Sequence, residues 1–238
     1  MKYSALLRFI CLSCLLTAVS ACGGLTQSGQ KNVSSGDGAS RDNKTVVAGD
    51  VTNGSSDART EVVKAYQSFL ARPFYRVHTV DMTRNAANTA YTMDYVAPDR
   101  YEIKHEGDSD AKNSDIIGIG QETWFKHQDQ PWKKSPVNIG AMKDMQKSWL
   151  DKINDKNTEV KLAGTESLDG APMNVYQISY NIEDKEIETT IKGTGKVWIG
   201  ATDHLPHKSE INSQTEDNSQ KLTTTYDYNT AVKIEPPM

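Results

Sequence analysis

Two histidines, His204 and His207, lie three residues apart and are the residue pair that most suggests metal chemistry. A catalytic zinc site usually takes three protein ligands. Pro206, between the histidines, opposes a helix that would carry both on one face. The sequence supplies no third ligand at the spacing of a metal site. We interpret the pair as loop histidines and expect neither a metal site nor a cofactor.

The sequence also lacks a recognisable catalytic nucleophile. It contains no Gly-x-Ser-x-Gly turn, and the glycine pairs Gly118/Gly120 and Gly193/Gly195 lack the strand–glycine–helix context of a phosphate site. Acidic clusters such as 183–188 are typical of solvated surfaces. We expect a non-enzymatic protein, and a hydrolase whose site the sequence does not display is the third hypothesis.

Cys22 is the residue whose surroundings predict a definite modification. Lys2 and Arg8 give a positive start, and residues 5–18 form a short apolar stretch that leads into Val19-Ser20-Ala21-Cys22-Gly23. These are the parts of a secretory signal peptide, and the ending resembles the lipobox of bacterial lipoproteins. We predict cleavage after residue 21 and lipidation of Cys22. The alternatives are an ordinary signal peptide with an incidental cysteine, or an uncleaved anchor.

Charge and cysteine content set the expected partners. The formal net charge of −4, with both signs interspersed, provides no basic surface for nucleic acid or for anionic lipid headgroups. We therefore expect the lipid on Cys22 to hold the exported chain at the cell envelope. Gly23 after the cysteine favours the outer membrane of a two-membrane bacterium, or otherwise the outer leaflet of the plasma membrane. The sequence identifies no protein partner.

A polar tract separates this N-terminus from the folded part. Residues 22–56 are rich in Gly, Ser, Asn, Thr and Asp, which predicts a flexible linker, and residues 57–238 form the predicted domain. Helical periodicity predicts a first helix, Ala58–Ala71, capped by Asp57 and ended before Pro73, and a second helix, Ile139–Asn154.

Between and after the helices, alternating β-rich runs predict about ten short strands in sequential order. Tyr101, Ile103 and His105 alternate with polar residues, as do Tyr176, Ile178 and Tyr180, and Asp169-Gly170 predicts a tight turn. The expected fold class is α+β, with a curved antiparallel sheet, an open half-barrel, whose concave face is covered by the helices.

Several stretches of the domain resemble a known superfamily. They are Tyr95-Val96-Ala97-Pro98-Asp99-Arg100-Tyr101, Gly164-Thr165-Glu166 with Leu168-Asp169-Gly170-Ala171-Pro172, Lys196-Val197-Trp198-Ile199 with Leu205-Pro206-His207-Lys208, and Tyr226-Asp227-Tyr228-Asn229. In order and spacing they resemble the LolA/LolB and LppX/LprG-like lipoprotein carriers and lipid-binding lipoproteins. The resemblance implies a half-barrel that holds a lipid or the acyl chain of a lipoprotein, with a carrier or chaperone-like role.

The candidate ligand-cavity residues are apolar or aromatic positions on the second helix and the later strands. They are Met142, Met145, Trp149, Tyr176, Ile178, Tyr180, Trp198 and Tyr226. The helix stripe could form a lid over a cavity or a permanent plug, because periodicity shows which residues share a face but not whether that face is filled. With a filled barrel, the chain would instead be an envelope sensor or scaffold that acts through protein contacts.

Overall fold

A helix, α1 (Ser55–Leu70), begins the part of the chain that the structure describes. The structure is a computed structural model, and it describes residues 55–83, 89–106, 114–135, 149–184, 189–216 and 218–238. Because α1 begins before the predicted Ala58, Asp57 lies in its first turn, where a carboxylate interacts favourably with the helix dipole. Its buried face carries Ala58, Val62, Ala65, Tyr66 and Phe69.

A second helix, α2, covers residues 149–154. Its end at Asn154 agrees with the predicted end of Ile139–Asn154. Residues 139–148, with the candidate residues Met142 and Met145, lie outside the described residues. In α2, Ile153 is only 1% exposed and belongs to the main core. Among the described residues, no helix is both long enough and apolar enough to cross a bilayer.

In the part of the chain that the structure describes, eleven strands form a single antiparallel sheet. They are β1 (Phe74–Asp81), β2 (Thr89–Val96), β3 (Arg100–Glu106), β4 (Ser114–Ile119), β5 (Glu122–His127), β6 (Lys133–Lys134), β7 (Thr158–Leu168), β8 (Ala171–Asp184), β9 (Thr189–Gly200), β10 (Pro206–Gln214) and β11 (Ser219–Asp227). Their order across the sheet is β6-β5-β4-β3-β2-β1-β11-β10-β9-β8-β7. The fold is therefore the expected α+β open half-barrel, with β6 and β7 as its two edges.

The sheet is made of two sequential meanders joined by the pairing of β1 with β11. Val77 of β1 lies opposite Tyr226 of β11, and this pairing joins strands that are far apart in the sequence. The sequence predicted the two meanders but not this junction. The two-residue strand β6 was not predicted either, because it is too short to give a periodic signal.

Local sequence determines the turn of the β7–β8 hairpin. Asp169 and Gly170 have φ angles of 51° and 83°, so both central residues of the β7–β8 turn occupy the left-handed region that Asp-Gly favours. A different glycine, Gly193, allows close packing instead: a Cβ there would lie 2.1 Å from the ring of Tyr180. Tyr180 can therefore lie flat across β9 only because residue 193 has no side chain.

The main core lies between α1 and one face of the sheet, which we call the inner face. Side chains alternate along each strand, so Tyr176, Ile178 and Tyr180 lie on this face and Ser179 lies on the opposite, outer face. Helix α1 packs against β7 and β10. The helix therefore covers mainly the part of the inner face built by the second meander, and its Phe69 also packs against Tyr75 of β1.

Candidate functional site

The predicted cavity residues of β8 and β11 lie on the inner face beneath α1. Tyr176, Ile178 and Tyr180 are 4%, 1% and 7% exposed, and all three belong to the main core. Tyr226 is half-buried and packs against the same core. The structure thus brings these four residues together, in a region filled by side chains from α1.

Aromatic rings provide this filling. The ring centroid of Phe69 lies 5.3 Å from that of Tyr226, in an edge-to-face arrangement. Tyr66 lies 6.2 Å from Trp149, and Trp149 lies 6.4 Å from Tyr180, again edge to face. Edge-to-face pairs stabilise the packing beyond their buried area. We call this group (Tyr66, Phe69, Trp149, Tyr180 and Tyr226) the aromatic plug.

The hydroxyls of Tyr66 and Tyr226, two members of the plug, have hydrogen-bonding partners. The hydroxyls of Tyr66 and Tyr226 are 3.3 Å apart, and the hydroxyl of Tyr226 is 3.4 Å from that of Ser209. Burial raises the pKa of both tyrosines above the ordinary value, because the anion would lose its hydration. Both phenols therefore stay protonated and serve as hydrogen-bonding groups of a core.

Trp198 does not join this group, because it lies on the outer face of β9. It belongs to a small separate cluster with Met173 and Val175, and its indole Nε1 donates a hydrogen bond to Glu166 at 2.8 Å. The ammonium of Lys208 lies 4.7 Å from the ring centroid. Trp198 follows Val197, which is inside the main core, so strand alternation places the two side chains on opposite faces.

The first meander continues the apolar surface of the inner face, because Val77 and Ile116 belong to the main core and Met93 and Ile103 pack against it. Strand register aligns one residue from each of β1 to β5. These residues, which we call the apolar row, are Val77, Met93, Ile103, Ile116 and Phe125. Val77 and Ile116 are buried, whereas Met93, Ile103 and Phe125 are half-buried. With four strand spacings of ~4.8 Å, the row is about 19 Å long.

Sequence reasoning did not select the apolar row as a site. The alternation of Ile103 with its neighbours was visible, but Met93, Ile116 and Phe125 lie on separate short strands. Only the register places them side by side. The signal that could have found them is the recurrence of one apolar residue at the centre of each strand of the first meander.

An open cleft of about 870 Å³ lies at the ends of β8 to β11. Its lining comes from both faces of the sheet: Tyr180 and Gly193 lie on the inner face, whereas Lys192 and Asn212 lie on the outer face. The apolar side chain of Met82 also lines the cleft. The cleft therefore has the volume of a ligand site and a lining of mixed polarity.

The histidine pair has a local structural role. His207 Nε2 lies 2.9 Å from Asp203 Oδ2, and the His207 ring contacts the ring of Tyr228 edge to face. His204 has a φ angle of 57° in the preceding turn. Within the described ranges, no three His, Cys, Asp or Glu residues converge as metal ligands would.

No protein-family model and no curated protein sequence matches the chain. Solved structures are similar to the chain, and two lipoproteins are among them. The lipoprotein LppX of Mycobacterium tuberculosis aligns with a TM-score of 0.53 and 14% identity over 76% of this chain and 99% of LppX. LprF of Mycobacterium bovis aligns with a TM-score of 0.49 and 9% identity over 77% of this chain and 98% of LprF. The alignment with LppX agrees with the eleven-stranded open sheet of the described residues, and the chain therefore shares the half-barrel fold of LppX.

Proposed function

We propose that this protein is a non-enzymatic envelope lipoprotein that binds an acyl chain on the apolar row. The observation that carries the proposal is the row itself, which presents half-buried Met93, Ile103 and Phe125 on the inner face away from the strands that α1 covers. Each half-buried apolar side chain still exposes surface to water. Covering that surface with a ligand would contribute a binding free energy of about 25 cal/mol per Å². The fold shared with LppX supports this proposal.

Binding is tested by native mass spectrometry of the protein purified from its own membranes, followed by extraction and identification of bound lipid. We expect co-purified acyl lipid, and a loss of most of it in Ile103→Gln. Ile119→Gln is the matched control, because Ile119 is also half-buried but faces outward from β4. Absence of lipid from the wild-type protein, or equal loss in both variants, would contradict the proposal.

The proposal includes lipid attachment at Cys22, in the outer membrane of a two-membrane bacterium or otherwise on the outer leaflet of the plasma membrane. Cys11 and Cys14 lie within the predicted signal peptide, so Cys22 is the one thiol expected in the processed chain. Metabolic labelling with an alkyne fatty acid should mark the wild type and not Cys22→Ala. Continued labelling of Cys22→Ala would refute the anchor.

A second candidate function is that of an envelope sensor or scaffold. The observation that favours it is the aromatic plug, which fills the inner face where Tyr176, Ile178 and Tyr180 were predicted to line a cavity. A scaffold needs no lipid, so the same mass spectrometry separates the two functions. Lipid-free wild-type protein that retains partners after in-cell cross-linking would favour the scaffold.

A further inference from the structure

The apolar row ends in a cationic side chain at the edge of the sheet. Strand β6 pairs with β5 so that Lys133 lies opposite Phe125. Residues directly opposite each other in an antiparallel pair have their side chains on the same face, so Lys133 continues the row onto β6. Its side chain is exposed. It therefore lies one strand spacing, ~4.8 Å, beyond Phe125 at the open end of the row.

The contacts of the next lysine agree with this assignment of faces. Lys134 forms an ion pair with Glu122, and its ammonium lies 5.9 Å from the ring centroid of Trp124. Trp124 precedes Phe125 in β5, so its side chain lies on the outer face, and Lys134 lies there with it. Lys133 then lies on the inner face, where it makes no ion pair with any residue that the structure describes.

Lys133 is also the one acidic or basic residue on this part of the inner face. Apart from it, none of the positions that the register places on the inner face of the described strands β2 to β6 is Lys, Arg, Asp or Glu. An anionic group beside Lys133 would therefore meet no carboxylate on this face, and the ammonium has no other charge there to compete for.

The order of side chains along the row determines the orientation of a bound amphiphile. The row begins at buried Val77 on β1, passes half-buried Met93, Ile103 and Phe125, and ends at exposed Lys133 on β6. A headgroup at the β6 end would stay hydrated beside the ammonium while its chain covers the half-buried side chains. The reverse orientation would bring the headgroup to the core at β1, where removing a charge from water is costly.

We propose that the ligand is an amphiphile with an anionic headgroup, a carboxylate or a phosphate, which pairs with Lys133 at the β6 edge while its acyl chain lies on the apolar row toward β1. This inference rests on the proposed function, because it assumes that the row binds an acyl chain. It adds the charge of the headgroup, the residue that recognises it and the orientation of the ligand.

The test uses three photoactivatable, alkyne-tagged probes with the same acyl chain: a fatty acid, a lysophosphatidic acid and a monoacylglycerol. Membranes that contain the full-length protein are irradiated with each probe at about pH 8.5, where lysine is still charged, and labelled peptides from β2–β5 are quantified. We expect an anionic probe to label these peptides more than the uncharged monoacylglycerol, by about fivefold, the upper end of what an exposed ion pair gives. The anionic probe that labels more strongly shows whether a carboxylate or a phosphate is preferred.

Three variants assign the preference to one side chain. The ratio of anionic to uncharged labelling is compared with that of the wild type in the same membranes, which cancels differences in how the probes partition. Lys133→Gln should remove the fivefold preference, and Lys133→Arg, which keeps the charge, should retain it. Lys134→Gln is the matched control, because it removes the same charge from the same strand on the outer face and should leave the preference unchanged. Urea unfolding of each variant checks that it folds.

The outcomes separate the inference from the proposed function. Equal labelling of β2–β5 by all three probes, or a preference for the monoacylglycerol, would overturn the headgroup assignment and leave acyl-chain binding standing. A preference that persists in Lys133→Gln, or that Lys134→Gln removes to the same extent, would also overturn it. Absence of labelling on β2–β5 by any probe would refute the proposed function and the inference together.

Discussion

The two meanders of this sheet use their inner faces differently. In the second meander, Ile178, Val197 and Tyr176 are at most 4% exposed beneath α1 and the aromatic plug. In the first meander, Tyr75 and Tyr95 are equally buried, whereas Met93 and Ile103, which pack against the same core, are only half-buried. Both surfaces are apolar, and they differ in how completely their central residues are buried.

This difference in burial assigns the two regions to different properties, stability for the fully buried residues and binding for the half-buried ones. Fully buried side chains in a closely packed core contribute most to the free energy of unfolding, and any ligand would have to displace them. Half-buried apolar side chains contribute less to stability, but they retain surface that a ligand can cover. The predicted cavity residues Tyr176, Ile178 and Tyr180 lie in the region suited to stability.

The largest expected effect is on the free energy of unfolding, and it is seen by truncating one phenylalanine in each region. Phe69 is 4% exposed and packs 4.3 Å from Tyr75, so Phe69→Ala should lower the free energy of unfolding by about 3–5 kcal/mol. Phe125→Ala in the half-buried row should cost about 1–2 kcal/mol. Urea unfolding measures both, and equal losses would mean that the two regions are equally well packed.

The next effect concerns the first meander, at the outer face of β1 and β2. Arg76 donates two hydrogen bonds to Asp94, at 2.6 and 2.8 Å, and Asp94 is 5% exposed. Arg76→Met should destabilise the fold by about 3 kcal/mol, because it leaves a buried carboxylate without its partner. Arg76→Met combined with Asp94→Asn should recover much of that loss in urea unfolding. A double variant no more stable than Arg76→Met would show that the carboxylate is not the cause.

Trp149 sharpens the comparison, because the lid and plug hypotheses assign it to different roles. It is half-buried between Tyr66 and Tyr180, and as part of the plug its truncation to Ala should cost about 2 kcal/mol of stability. The amount of lipid that co-purifies with the protein, measured by native mass spectrometry, should then remain unchanged. A variant with normal urea stability and much less co-purified lipid would favour the lid.

The smallest expected effect is the contribution of His105 to the pH dependence of the free energy of unfolding. Because its pKa is lowered in the folded state, the unfolded chain binds a proton more readily below about pH 6.5, and stability falls as the pH drops from there toward the folded-state pKa. His105→Phe should remove this component from stability measured between pH 8 and pH 5. His78→Phe provides the comparison on the outer face, and a pH profile of His105→Phe identical to that of the wild type would contradict the expectation.

Much of the fold follows from the sequence alone. Alternation predicted the strands of both meanders, Asp169-Gly170 predicted the β7–β8 turn, and helical spacing predicted α1 and the end of α2, because local backbone preferences and one-sided burial act over a few residues. The predicted lipidation at Cys22 likewise depends on local sequence and stays a prediction. For the same reason, the sequence alone predicted that Tyr176, Ile178 and Tyr180 share a face.

What covers each face was decided only by the tertiary structure. The pairing of β1 with β11 is a long-range contact that no local pattern encodes, and it determines that α1 lies over the second meander. Trp198 lies on the outer face because β9 places Val197 inward, a parity that packing with the neighbouring strands fixes. Met93, Ile103 and Phe125 become one surface only through strand register. Periodicity assigns residues to a face, but whether that face is filled depends on which distant element packs against it.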